Sequence, residues 1–384
     1  MAPPDMMEQR LLLLLLILVP GIGPARIKAL ATHFHDLRDL LHAGIGELVN
    51  ISGIGESLAR QIHHFFHHAP TKEKALRSAE AQIAELHHYN ATIITILDQD
   101  YPPLLKEIYD PPPCLFVRGT LPDRESTGVA VVGTRDASQY GKQATALLCK
   151  GLVDHGITIF SGLAYGIDMA AHTATLENGG VTVAVLASGV DTIYTDPKGK
   201  LWPKIIENGA IISEEWIGSE LSPGKFPKRN RIIAGISSGT IVIESDLKGG
   251  SLITAAAALE QNREVFALPG SIFARTSRGT NKLIQQGHAK AIMSVEDIIS
   301  ELGGTATSRY SGQALIPKER TLHQNLSSVE ESILCCMNTA PMHIDELAAA
   351  SELDIPSLLV HLFELELKSA IEQQPGQFFL KNVL

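Results

Sequence analysis

Several things are missing from this 384-residue chain. Cysteine is scarce: Cys114, Cys149, Cys335 and Cys336 fall at no spacing that suits a metal knuckle or a redox pair, so no metal site is assigned and a reducing cytoplasm is expected. No apolar run is long enough to cross a bilayer; the longest, Leu11 to Val19, is nine residues. Asp5 and Glu8 precede it, and Pro20-Gly21-Ile22-Gly23 follows in place of a small-residue cleavage site, so it reads as a buried helix and not a signal peptide. The G-x-x-x-x-G-K-[ST] loop is absent, which argues against P-loop nucleotide hydrolysis, and the G-x-G-x-x-G fingerprint is absent too. A nucleophile elbow, an oriented Cys/His pair, paired carboxylates and H-E-x-x-H are likewise missing, so no catalytic residue and no cofactor is expected.

What is present suits a globular protein of two or three domains, with 45% hydrophobic and 19% charged residues. The formal charge of −10 is unevenly distributed. From Glu220 to Lys290 there are ten Lys or Arg against five Asp or Glu, whereas from Asn325 to Leu384 there are two against nine. The first stretch can attract a polyanion; the second repels one.

The first seventy residues contain one phrase twice, Val19-Pro-Gly-Ile-Gly-Pro-Ala-Arg26 and Ile51-Ser-Gly-Ile-Gly-Glu-Ser-Leu58, each flanked by apolar residues at helical spacing. These turns resemble helix-hairpin-helix modules, in which glycine exposes backbone N–H groups at a helix N-terminus. An equally good reading is a small helical domain that uses glycine for tight turns. Arg26 suggests a phosphate contact in the first copy, where the second has Glu56. His63, His64, His67 and His68 read as a solvated helix face.

From Thr92 short β-branched runs alternate with helical stretches: Thr92 to Leu97, Val129 to Val132, Thr158 to Phe160, Val181 to Leu186, Ala210 to Ser213, Thr240 to Glu244 and Glu264 to Leu268. Consecutive apolar positions predict parallel strands covered on both faces. The fold class is therefore α/β: an extended Rossmann-type doubly wound sheet, an N-terminal helical domain of helix-hairpin-helix type and a C-terminal winged-helix-like domain. The expected boundaries are 1–70, a connecting helix 71–90, the Rossmann domain 91–302, a polar linker 303–320 and the winged helix 321–384. The last holds three helical patterns and a hairpin at Pro375-Gly376.

Ligands of doubly wound sheets bind at strand ends, and here these are rich in glycine. Gly133, Thr134, Arg135 and Ser138 follow one strand; Ser161, Gly162, Gly166 and Asp168 follow the next. Such loops offer N–H groups and hydroxyls to phosphate. The densest signal is Lys225, Phe226, Lys228, Arg229, Asn230 and Arg231, cations around an aromatic, a pattern that suits single strands because phosphates are neutralised while a ring stacks on a base. Asp168 is expected to cap a helix, and Glu244 to hold the Lys248 to Ser251 loop.

Together Val132-Gly-Thr-Arg135, Ser161-Gly-Leu-Ala-Tyr-Gly-Ile-Asp168, Phe226-Pro-Lys-Arg-Asn-Arg-Ile-Ile-Ala-Gly235, Gly250-Ser-Leu-Ile-Thr-Ala255 and Val265-Phe-Ala-Leu-Pro-Gly270 resemble the DprA/Smf family of bacterial DNA-processing proteins. The resemblance implies single-stranded DNA binding without catalysis, protection of incoming DNA, homodimerisation and loading of RecA during transformation, with no membrane association. It places Arg135 and the basic residues of the Phe226 motif in a phosphate pocket, with Lys198 joining them. It also extends to the C-terminal winged helix, whose acidity favours a protein contact over reading DNA. The rival is a Rossmann-fold nucleotide hydrolase of the lysine-decarboxylase-like type, but its Pro-Gly-Gly-x-Gly-Thr loop is replaced here by Ala234-Gly-Ile-Ser-Ser-Gly-Thr240.

Overall fold

A computed structural model describes residues 4–302, 327–337, 340–351, 353–368, 370–374 and 376–381. The chain divides into two compact units, Met1–Arg309 and Tyr310–Leu384. The expected linker 303–320 lies outside the described residues.

The first unit opens with helices Pro4–Ile17, Pro24–His33, Ile45–Val49, Glu56–His67 and Ala69–His88. Leu12 to Leu16 are all buried, so the first helix is enclosed on every side and the apolar run is core. Gly21 and Gly53, in the two repeated phrases, both sit at φ +79°, a conformation that favours glycine and closes each turn. Arg26 joins the turns, donating to the carbonyls of Gly21 at 2.7 Å and Gly53 at 3.0 Å. Two of its donors are thus committed to an internal tie between the turns, while the side chain stays exposed. His63 stacks on His67 and His64 on His68, with centroids 4.0 and 4.8 Å apart.

Nine strands follow: β1 Ala91–Thr95, β2 Cys114–Gly119, β3 Gly128–Val132, β4 Thr158–Ser161, β5 Thr182–Val185, β6 Gly209–Ser213, β7 Gly239–Val242, β8 Glu264–Ala267 and β9 Lys290–Ala291. They form one sheet in the order β1-β2-β6-β5-β4-β3-β7-β8-β9. From β6 to β9 all neighbours are parallel, with Val129 opposite Ile159 and Val131 opposite Ile241. β1 departs from expectation: it lies antiparallel to β2, which is antiparallel to β6. The reason is position. An edge strand is covered on one face, and in β1 Ala91, Ile93 and Thr95 are buried while Thr92 is exposed.

In β3, Val129 and Val131 pack on one side with Leu148, Cys149 and Leu152 of helix Gln139–Asp154. Ala130 and Val132 face the other core with Ile232 and Ile233 of helix Lys225–Ile236. Each such aliphatic contributes about 1.5–3 kcal/mol when fully buried. Strand order runs outward from β3 to β6 and then restarts beside β3 with β7, so the topological switch point lies between these two strands.

The second unit holds helices Ser328–Cys336, Ile344–Ser351 and Ile355–Leu367 with β10 Met342–His343, β11 Ile371–Gln374 and β12 Phe378–Lys381, an antiparallel sheet in the order β10-β12-β11. This is a winged helix with its own core of Ile333, Leu347, Leu358, Leu362, Leu365 and Phe379. Ser327 and Glu330 form a capping box, and buried Glu330 pairs with Lys368 at 2.6 Å.

Candidate nucleic-acid interface

The carboxyl ends of β3, β4, β5 and β7 bring most of the sequence-selected residues together, but not all in the roles expected. After β3 the Thr134 N–H donates to the Glu244 carbonyl at 2.8 Å. Ser138 caps helix Gln139–Asp154, accepting from the Gly141 N–H at 3.0 Å and donating its hydroxyl to the Glu244 carboxylate at 2.6 Å. The Glu244 carboxylate also takes the Ser138 N–H at 2.9 Å and the Thr276 hydroxyl at 2.8 Å. Glu244 therefore clamps the switch point through Ser138 and Thr276, not through the Lys248 to Ser251 loop. A hydroxyl and an N–H already committed to this carboxylate leave Ser138 little to offer a phosphate.

The loop after β4 fills its own anion seat. Asp168, buried in the first turn of helix Ile167–Glu177, accepts from the Gly162 N–H at 3.1 Å and the Ala164 N–H at 3.3 Å, and the Gly133 amide also favours its charged form. Its role is to satisfy the loop; the helix N-cap is Gly166. Burial pushes the Asp168 carboxyl up, opposed by Arg229 and these amides. Ser161 is fully buried and donates to the Val131 carbonyl at 2.6 Å, so its hydroxyl also faces inward. Gly166 adopts φ +81° and ψ −121°, and a Cβ there would stand 2.3 Å from the Thr134 carbonyl oxygen, so glycine lets the β4 loop lie against the β3 loop.

The basic segment is the first turns of a helix, which divides its cations by face. Arg229 is 6% exposed and donates to the carbonyls of Gly162, at 2.6 Å, and Val185. It is an internal strut between the β4 and β5 loops, and burial lowers its pKa against the pull of Asp168. Lys225 pairs with Glu215 at 2.9 Å. Arg231 pairs with Glu214 and with Asp110, the latter at 3.3 Å. Asn230 accepts from the Arg229 Nε–H at 3.0 Å. These four residues are therefore engaged internally, contrary to the expectation of a cation row facing phosphate. The helical period explains it: Arg229, Ile232, Ile233 and Ile236 share the buried face.

What remains at the surface is a smaller cluster. Arg135 is exposed, with its guanidinium 5.4 Å from the centroid of the Phe226 ring. Tyr194, in the loop after β5, meets Phe226 edge-on at 6.1 Å. Burial raises the Tyr194 pKa, opposed by Arg229 and Arg135. Lys198 and Lys228 are exposed with no ion pair among the described residues. Tyr194 and exposed Tyr165 escaped the sequence reading; the available signal was an aromatic in each strand-to-helix loop. Among the described residues no three His, Cys, Asp or Glu are grouped to hold a metal ion.

Residues 92–303 match the family model described as DNA recombination-mediator protein A, residues 317–377 match the DprA winged helix domain, and residues 12–74 match a helix-hairpin-helix motif. Protein Smf of Synechocystis sp. is 33% identical over 393 residues, covering 95% of this chain and 96% of that protein. The X-ray structure of DNA processing protein A from Streptococcus pneumoniae is similar at a TM-score of 0.62 and 32% identity, covering 78% of this chain and 99% of that one. That of DNA processing protein A from Helicobacter pylori, described by its single-stranded DNA binding mode, is similar at 0.50 and 30%, covering 56% and 96%.

Proposed function

This chain belongs to the DNA recombination-mediator protein A family, also called DprA or Smf, and on that premise we propose that it binds single-stranded DNA at the carboxyl edge of its Rossmann sheet without covalent chemistry. The observation that carries the reading is the exposed Arg135 guanidinium over the half-buried Phe226 ring, backed by Tyr194. An arginine fork suits a phosphate and an adjacent ring suits an unstacked base. Lys198, four residues beyond Tyr194, and Lys228, two residues beyond Phe226, add exposed positive charge. Gly133, Thr134, Gly162 and Gly166 shape the loops, while Asp168, Glu244, Ser138, Ser161, Arg229 and Asn230 hold them rigid.

For the wider role we propose protection of incoming DNA and loading of RecA in transformation, carried out by a homodimer in the cytoplasm; family membership supports this reading. No helix among the described residues is long and apolar enough to cross a membrane. The winged helix suits a protein contact, because helix Ile355–Leu367 exposes Leu359, Val360 and Phe363 in a segment with nine acids against two bases. The test is fluorescence anisotropy with labelled oligo-dT. The intact chain should bind and Arg135→Ala should bind much more weakly; a chain that fails to bind oligo-dT would overturn the proposal.

A further inference from the structure

The loop between β8 and helix Arg278–Gln285 carries an aromatic that nothing in the described chain covers. Phe273 is 89% exposed and its neighbour Ile272 77%. Two large apolar side chains held together in solvent mark a contact site.

The loop beneath them is pinned. The Asn281 amide donates to the Gly270 carbonyl at 2.9 Å and accepts from the Gly270 N–H at 3.1 Å. The Tyr140 hydroxyl donates to the Pro269 carbonyl at 2.8 Å, and the Ser245 N–H to the Thr276 carbonyl at 2.6 Å. The tip is itself a closed turn, with the Ala274 N–H donating to the Ser271 carbonyl at 3.0 Å. A ring on a preorganised loop sacrifices little conformational entropy when a ligand covers it.

Position and charge indicate the ligand. β8 is two places from β3 in the sheet, about 10 Å at ordinary strand spacing. Phe273 and Arg135 therefore stand at the same carboxyl edge, and half-exposed Tyr140 opens the helix that follows the Arg135 loop. Arg275 is largely exposed and only 3.5 Å from Asp246, while Lys248 and Arg278 are exposed with no ion pair among the described residues. Exposed rings and cations at one edge suit a single strand, whose bases are free to stack; a duplex offers no such base.

We propose that Phe273 is a second base-stacking platform, extending the single-strand path from Arg135 past Tyr140 to the β8 loop. This rests on the Arg135 pocket proposed above, and the test separates the two. A labelled dT dinucleotide is shorter than the about 10 Å between the two strand ends and occupies only one site, and an oligo-dT of about twenty nucleotides reaches both. In the full chain, Phe273→Ala should weaken the long oligonucleotide at least about fivefold, the low end of one lost stacking contact, and leave the short one unchanged. Phe273→Trp should retain long binding, with oligo-dT quenching its emission beyond any change in the unsubstituted chain. Equal loss at both lengths, or no loss at either, would overturn the platform; a change in sedimentation mass without loss of binding would assign the loop to a second copy of the chain instead. Arg135→Ala should weaken both lengths. If it weakens neither while Phe273→Ala still weakens the long one, the pocket is wrong and the joined path is overturned.

Discussion

Replacing Arg229 with methionine distinguishes a strut from a phosphate ligand. Arg229 lies within the fold, giving hydrogen bonds to the Gly162 and Val185 carbonyls and its positive charge to buried Asp168. Methionine retains much of the apolar stem, so little cavity is created and the loss is chiefly polar. An unsatisfied buried carbonyl costs about 1–3 kcal/mol, and a buried charge stripped of its partner about 3–5 kcal/mol. The two overlap, because removing one guanidinium causes both, so the larger range is the working figure. For a domain of this size it corresponds to a melting temperature lower by about 6–20 °C. The assay is thermal unfolding followed by circular dichroism on the full chain, with Asp168→Asn and the double variant alongside. The double variant should fall short of additivity, since the uncompensated carboxylate is gone. An Arg229→Met protein that melts with the parent yet has lost oligo-dT binding would refute the strut and return Arg229 to the DNA surface.

Two further expectations follow from buried groups. His172 is fully buried; Thr182 donates its hydroxyl to the Ile159 carbonyl, so at 2.7 Å it accepts from the His172 Nδ1–H and leaves Nε2 with no partner. Burial, assisted by the charge of Arg229, lowers its pKa to about 3 from 6.5. Between these values the unfolded chain binds the extra proton, so the stability present above pH 6.5 is lost as pH falls towards 3, on the order of 5 kcal/mol in all. The urea midpoint should decline over that window and decline less in His172→Asn; parallel declines would contradict the assignment. Gly166→Ala should cost at least about 2 kcal/mol by denaturant titration, through positive-φ strain and the contact with the Thr134 carbonyl. A midpoint close to the parent's would show that the two loops are not in close contact.

The parallel core was legible because its strands are buried on both faces and announce themselves as continuous apolar runs. β2 was not: Pro111-Pro112-Pro113 reads as loop, yet Cys114 to Val117 beyond it are buried. β9 is two residues long, too short to leave a pattern. At the site, residue types were legible and their orientation was not. Arg135 reaches the surface beside Phe226 as the motif predicts, but Arg229 and Arg231 turn inward, because a run of charges conceals a helical period. Ile232, Ile233 and Ile236 mark the inward face, and Arg229 lies on it. The glycine loops misled for another reason. Their N–H groups do gather around an anion, but it is the protein's own Asp168 carboxylate.

The most direct test of the central claim is the salt dependence of oligo-dT binding for the intact chain and for Arg135→Ala. If Arg135 holds a phosphate of a single strand, the variant binds more weakly at every salt concentration and its log–log slope is shallower by about 0.7, one counterion-release contact. Identical affinities and identical slopes would contradict it.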